Sequence, residues 1–479
     1  MKSNIKNNIK NVGLGTILSI FGLLLFLGSC QKEPLPVFSN DDVSVDSLVK
    51  FKMYSNHYML LADGKAQLDL KPYVWKQLKN DTILMKEDRI KDDWIEYHEI
   101  NEGINVNRYF STPDASLIGK ELRIYATIKG TNLVSDTTTV TIEAPLPDDA
   151  YDVVTYPVIF HIVQTPQEAE ERYQVTEKTV NDLINRMNRV FSGNAVNTPM
   201  GVDTKVRFAA AKYDPNGELL KEIGINRYKD TLTISPLRRD VATGEYTEPR
   251  SNQRYDSFLD VEGINLHWPQ DKYLNIWLIS YGGSRPFSIY SSLCFPTRVN
   301  PGVTDWPQVR PKRGSGGSGG VPTVPTSSDW WKLKTLTIND HNNPTFTGMK
   351  IELQSLPKFV DDNKYTLAGV QDFMTYVGVY FGLEHTFAST SWWSPYYVPG
   401  GDNDYCDDTF NYTFGENKEV KRINVNGGSY EFVSENIMDS REGRHRSISK
   451  AQAQRIRWFI ENCPRRTAYK SDFALTGIE

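Results

Sequence analysis

The run Tyr156-Pro157-Val158-Ile159-Phe160-His161-Ile162-Val163-Gln164-Thr165 is apolar at almost every position up to Val163, and Tyr273-Leu274-Asn275-Ile276-Trp277-Leu278-Ile279 repeats the pattern. A strand with apolar residues on both faces belongs inside a sheet that is covered on both sides, because either face left in water would expose a full row of branched side chains. Between these runs, Val180, Leu183, Ile184, Met187, Val190 and Phe191 recur at the spacing of one helix face, and Thr176 with Thr179 supplies a start signal. Val206 to Lys212 reads as another strand. A strand, a helix, further strands and a second helix near residue 370 specify an α/β layered domain.

The stretch before it has a different rhythm. Val49 to Met53, Ala66 to Leu70, Leu122 to Ile128 and Thr137 to Ile142 are short alternating runs, separated by turn signals such as Ala62-Asp63-Gly64 and Lys129-Gly130-Thr131-Asn132. This is the pattern of a small antiparallel β-sandwich, and the stretch from Gly119 to Pro145 resembles the closing hairpin of bacterial immunoglobulin-like domains. Pro145 to Asp152, rich in proline and acids, marks the boundary. The expected architecture is an α+β multidomain chain: an immunoglobulin-like β-sandwich over 43–146, then an α/β domain over 153–470. Residues 313–328, which include Arg313-Gly314-Ser315-Gly316-Gly317-Ser318-Gly319-Gly320, read as a flexible surface loop inside it.

The first 29 residues carry a basic start (Lys2, Lys6, Lys10) and an apolar run, Val12 to Gly28, too short for a stable anchor. They read as a signal peptide and end at Leu27-Gly28-Ser29-Cys30, which resembles a bacterial lipobox. That resemblance implies lipidation at Cys30, a tether over 30–42 and an outer-membrane address at the cell envelope. A formal net charge of -5, with 54 basic and 59 acidic residues well mixed, leaves no electrostatic footprint for nucleic acid. Beyond Cys30 there are Cys294, Cys406 and Cys463, an odd number whose pairing the sequence leaves open.

The second helix ends in Gly382-Leu383-Glu384-His385. Thr366 is its expected N-cap, and Leu367, Val370, Met374 (or Phe373), Val377 and Phe381 its buried stripe. Further on come Asp404-Tyr405-Cys406-Asp407-Asp408-Thr409, then Asn436-Ile437-Met438-Asp439, then Ser449 to Trp458 with a Gln452-x-x-Arg455. On these motifs the chain resembles the pappalysin-like zinc metalloproteinase lipoproteins of Bacteroides-type bacteria, within the metzincin clan, with Met438 at the Met-turn. The α/β domain is then expected to be a metzincin-like (zincin) domain. The resemblance implies the pattern His-Glu-x-x-His-x-x-Gly-x-x-His, whose spaced imidazoles hold one zinc while the Glu activates its water. Counting back from His385 and Gly382 puts Thr375 and Val379 at the other ligand positions and Tyr376 at that of the general base.

Threonine is a poor ligand, valine cannot ligate, and tyrosine has no carboxylate, so a metallopeptidase fold without catalysis is expected. The alternative is an active zinc-dependent metalloendopeptidase with an atypical metal site, drawing on Glu384, Asp402, Asp404, His445 or His341. No cofactor is expected unless zinc binds a rebuilt site or calcium the acidic loop Asp402 to Asp408. Trp392, Trp393, Tyr396 and Tyr397 crowd the segment after His385 and, with Trp330 and Trp331, suit a protein, peptide or glycan ligand.

Overall fold

The computed structural model describes residues 44–78, 81–164, 174–195, 198–229, 268–279, 348–352, 372–383, 385–388, 435–439, 445–462 and 466–478, with short pieces at 238–239, 246–247, 404, 406–409, 412–413, 420–425 and 428–433. The lipobox and tether, the Gly/Ser stretch, Trp330, Trp331, His341, Glu384, Trp392, Trp393, Tyr396, Tyr397, Asp402, Cys294 and Cys463 lie outside the described residues.

Strands β1 (Leu48–Ser55), β2 (Met59–Leu61), β3 (Leu68–Leu78), β4 (Asp81–Leu84), β5 (Ile95–Glu99), β6 (Tyr109–Phe110), β7 (Glu121–Ile128) and β8 (Thr138–Glu143) come first. They form two four-stranded sheets, one ordered β1-β3-β4 with β6 on β3, the other β2-β8-β7-β5. Of these eight strands, β2 runs parallel to its neighbour and the rest pair antiparallel. Successive side chains of a strand point to opposite faces, so on β7 Leu122, Ile124, Ala126 and Ile128 turn inward while Glu121 and Arg123 stay in water. They share one core with Phe51, Met53, Leu68, Leu70 and Val74 of the other sheet.

The second part is built on strands β9 (Val154–Gln164), β10 (Val206–Ala210), β11 (Ile225–Lys229), β14 (Leu274–Ile279) and β15 (Gly348–Glu352); β12 (Arg238–Arg239) and β13 (Tyr246–Thr247) make a separate small pair. The five-stranded sheet is parallel throughout, ordered β10-β9-β14-β15, with β11 continuing along β9 where β10 stops. Strand β9 therefore has neighbours along both edges, and both of its faces are covered, which is why its run carries so few polar residues. Tyr156, Val158, Phe160 and Ile162 face one side with helix α1 (Glu177–Phe191), and Ile159 faces the other with Trp268, Tyr273 and Phe473. Thr176 and Thr179 cap α1 reciprocally.

One polar residue interrupts the apolar run of β9 from Tyr156 to Val163, and it is fully satisfied. His161 is completely buried; its Nε2 lies 2.8 Å from Asn275 Oδ1 and its Nδ1 2.9 Å from Asn226 Nδ2. An amide nitrogen can only donate, so Nδ1 accepts and the ring proton sits on Nε2. Trp277 stacks on the ring and Trp268 meets it edge-on.

The remaining elements are helix α2 (Phe373–Tyr380), the pair β16 (Phe387–Ala388) and β17 (Tyr412–Thr413), the hairpin β18 (Val420–Val425) and β19 (Gly428–Val433), helix α3 (Lys450–Asn462) and the short α4 (Phe473–Thr476). Helix α2 departs from expectation at its start. Asp372, not Thr366, is the N-cap: its carboxylate accepts from Met374 N at 2.8 Å and from Arg186 Nη2 of α1 at 2.9 and 3.0 Å. Thr366, Leu367 and Val370 lie outside the described residues. Both partners of this pair are almost wholly buried, and a buried charge without its counterion is strongly destabilising. Replacing Asp372 with Ala is therefore expected to cost about 3–5 kcal/mol in chemical denaturation, and pairing Asp372→Leu with Arg186→Met to recover most of it.

Candidate functional site

The site lies where α2 meets the bend at Asn436 to Asp439. The bend closes on itself through short polar side chains. Asn436 Oδ1 accepts from Met438 N at 2.9 Å, and Asp439 Oδ2 accepts from Asn436 N at 2.9 Å. The Asn436 and Gln452 amides bond to each other at 2.7 and 3.0 Å, tying the bend to the first turn of α3. Ser449 continues that start, accepting from Gln452 N and donating to Asp408 Oδ1 at 2.6 Å.

Helix α2 lies directly on this bend. A Cβ built at Gly378 would fall 2.6 Å from Met438 Sδ and 3.1 Å from Ile437 Cδ1, so any larger residue would force the Met438 side chain to shift. Glycine inside a helix costs about 0.5–1 kcal/mol relative to alanine; here the close approach requires it. Gly382 ends the helix with φ +86, and a Cβ there would overlap the Phe459 ring of α3. Its carbonyl accepts from Arg455 Nε at 2.6 Å, and that of Tyr380 from Arg466 Nε at 2.7 Å. Two buried arginines thus satisfy carbonyls that a helix end leaves open.

The positions named from the sequence differ in how far they reach water. Thr375 is fully buried and its Oγ1 donates to Ile437 O at 2.6 Å. Tyr376 is buried in the main core, and Val379 is half-buried against it. His385 is half-buried, and Met438 is fully buried beneath Gly378. His445 is fully buried with φ +47; Nε2 donates to Asp439 O at 3.2 Å, while Nδ1 has no hydrogen-bond partner.

The described residues do not fit a metal. Among them no group of three His, Cys, Asp or Glu side chains is disposed to hold an ion. In the acidic loop, Asp404 accepts from Thr409 Oγ1 at 2.5 Å and from Cys406 N at 3.2 Å. Asp408 accepts from Ser449 Oγ and Ala451 N, so both carboxylates are turned inward as caps. Burial pushes the Asp408 carboxyl up, against the pull of those two bonds, and pushes the buried Cys406 thiol up, with Asp404 adding to it.

Several residues that shape the site carried no signal in the sequence. Thr386, completely buried, donates from N to Met438 O at 3.2 Å and from Oγ1 to Asp439 Oδ1 at 2.6 Å. Asn56, between β1 and β2, accepts from Asp69 N and donates to Glu435 Oε2 at 3.2 Å. Glu435 is also paired with Arg446 at 2.6 Å. A cavity of about 20 Å³, room for about one water, is lined by Asn56, His57, Glu435, Asn436 and Asp439.

No family model matches the chain, and no curated protein matches it. Solved structures do. Mature mirolysin of Tannerella forsythia in complex with a cleaved peptide is similar at 15% identity and a TM-score of 0.38, over 68% of this chain and 98% of that one. Mirolysin in complex with a compound gives 17% and 0.41 over 68% and 97%. A promirolysin mutant of Tannerella forsythia gives 14% and 0.37 over 69% and 86%.

Gly382→Ala is expected to destabilise by about 3 kcal/mol or more, since strain at positive φ adds to overlap with Phe459. Gly130→Ala, with φ +74 but open space around it, should cost about 1–2 kcal/mol; comparing their denaturation midpoints separates the two effects. His57 is half-buried, stacked on Tyr58 and accepting from Met59 N at Nδ1, and loss of solvent around the ring holds it down at about 3, below the ordinary 6.5. A depressed folded value means that the stability this neutral ring contributes is complete above pH 6.5 and falls as pH drops toward 3. The chain should lose about 1–2 kcal/mol between pH 7 and 5, and His57→Gln should flatten that slope.

Proposed function

We propose that this chain is a metallopeptidase-fold protein of the pappalysin-like type that has lost its metal centre and serves as a non-catalytic binder of extended polypeptide at the cell envelope. One observation carries the reading: the residue at the first ligand position, Thr375, is sealed from solvent with its side-chain oxygen committed to the Ile437 carbonyl. The neighbouring positions agree. Tyr376, where the general base would stand, is packed into the core, and Val379 offers only hydrocarbon. Loss of a general base alone lowers a hydrolytic rate by roughly 10²–10⁴, and without ligands there is no ion to acidify a water.

The frame around those positions is nonetheless intact. The helix ends on a glycine, the bend carries a methionine beneath it, and α3 supplies arginine to the helix end. Keeping such a frame while losing the chemistry suits a groove retained for binding, and an extended polypeptide is the ligand class that a peptidase groove accommodates. The lipobox at Cys30 and the N-terminal sheets, proposed as an immunoglobulin-like spacer, would hold the groove away from the membrane. A glycan ligand at the Trp392-Trp393 segment is the variant of this reading.

The deciding measurement is metal content. The full chain, purified without chelator and offered zinc, is expected to retain far less than one ion per chain by mass spectrometry. One zinc per chain would establish the alternative, an atypical active metallopeptidase; His385→Ala should then abolish both the zinc and chelator-sensitive cleavage of a peptide library.

A further inference from the structure

A metal bound by a helix and by the segment that follows it is a cross-link as well as a reagent, because its binding energy becomes folding energy. If the chain has given up its metal, something else must hold α2 to its surroundings. We infer that Thr375 is a positioning residue that has taken over this cross-linking role, its hydroxyl locking α2 onto the bend at Asn436 to Asp439. The inference rests on the metal-free reading above and deepens it.

The contacts lie on a single face of α2. Thr375 and Gly378 are one turn apart and so share that face. Thr375 donates to Ile437 O at 2.6 Å across 62 residues of sequence, and Gly378 admits Met438 Sδ. Past the helix end, Thr386 donates to Asp439 Oδ1 at 2.6 Å and, through its amide, to Met438 O. The bend is thus held between two threonines, both with no solvent exposure. Neutral hydroxyls in so dry a setting are costly to leave unpaired, which makes the bonds persistent.

The seat of α2 on the bend is then fixed without an ion, and its protection is indifferent to chelators. The test is hydrogen exchange on the full chain, read at the amides of Thr386 and Asp439, which bond to Met438 O and Asn436 O, with Leu70 N in the N-terminal sheets as reference. Thr375→Val, which keeps the shape and removes the donor, should speed exchange at the two bend amides roughly tenfold and leave Leu70 unchanged. Thr375→Ser, which keeps the donor, should behave like the parent.

Equal protection in the Val variant and the parent would overturn the lock. So would a Ser variant whose bend amides exchange faster than the parent's by the same tenfold, because the methyl and not the hydroxyl would then be holding the bend; this comparison with the parent stands even if the Val variant does not fold. The metal-free reading fails separately, if the parent carries stoichiometric zinc and a chelator by itself loosens the bend.

Discussion

The second half of the chain depends on how closely helix α2 can lie on the bend at Met438. Residue 378 is glycine, and its missing Cβ leaves room for the Met438 sulfur 2.6 Å from where it would have been. Once the helix is seated, Thr375 reaches Ile437, Leu383 closes over Gly378, and Thr386 reaches Asp439. The bend in turn is fastened to α3 through Asn436 and Gln452.

A second constraint comes from charge. Arg186, Arg455 and Arg466 are all essentially inaccessible to water, and each reaches the α2 region: one at the N-cap carboxylate, two at carbonyls of the last turn. Ions placed so deep must be paired or hydrogen-bonded. The ends of α2 are therefore clamped from both sides by groups that cannot be released cheaply, while its middle is held by a hydroxyl and by packing. In this division the position of the helix is defined at both ends and in the middle by side chains of the chain itself.

The N-terminal sheets also touch this region. Asn56 joins Glu435, Leu61 N donates to Pro199 O, and Lys450 Nζ donates to Ala144 O. Glu435 is buried between Asn56 and Arg446, immediately before the Met438 bend. The bend therefore receives its polar contacts from three parts of the chain. Removing any one would leave buried acceptors without donors, at about 1–3 kcal/mol each.

How much of this could be read in advance follows from the range of each interaction. Local signals sufficed for the apolar runs of β9 and β14, the alternation of β7, the capping pair Thr176 and Thr179 and the glycine at the end of α2, whereas the Asn436 to Asp439 bend was legible only as a family resemblance. Each is fixed by neighbours within a few residues, through strand or helix periodicity or through a side chain that bonds its own backbone. Folding settled the rest. Asp372 replaced Thr366 as the start of α2 because Arg186 lies 186 residues away in sequence, and Asn56 found Glu435 across 379. A threonine at position 375 reads as a missing ligand in the linear chain. Only the folded chain brings the Ile437 carbonyl to its hydroxyl, because contacts between distant segments depend on the path of the whole backbone and not on the pattern of any one stretch.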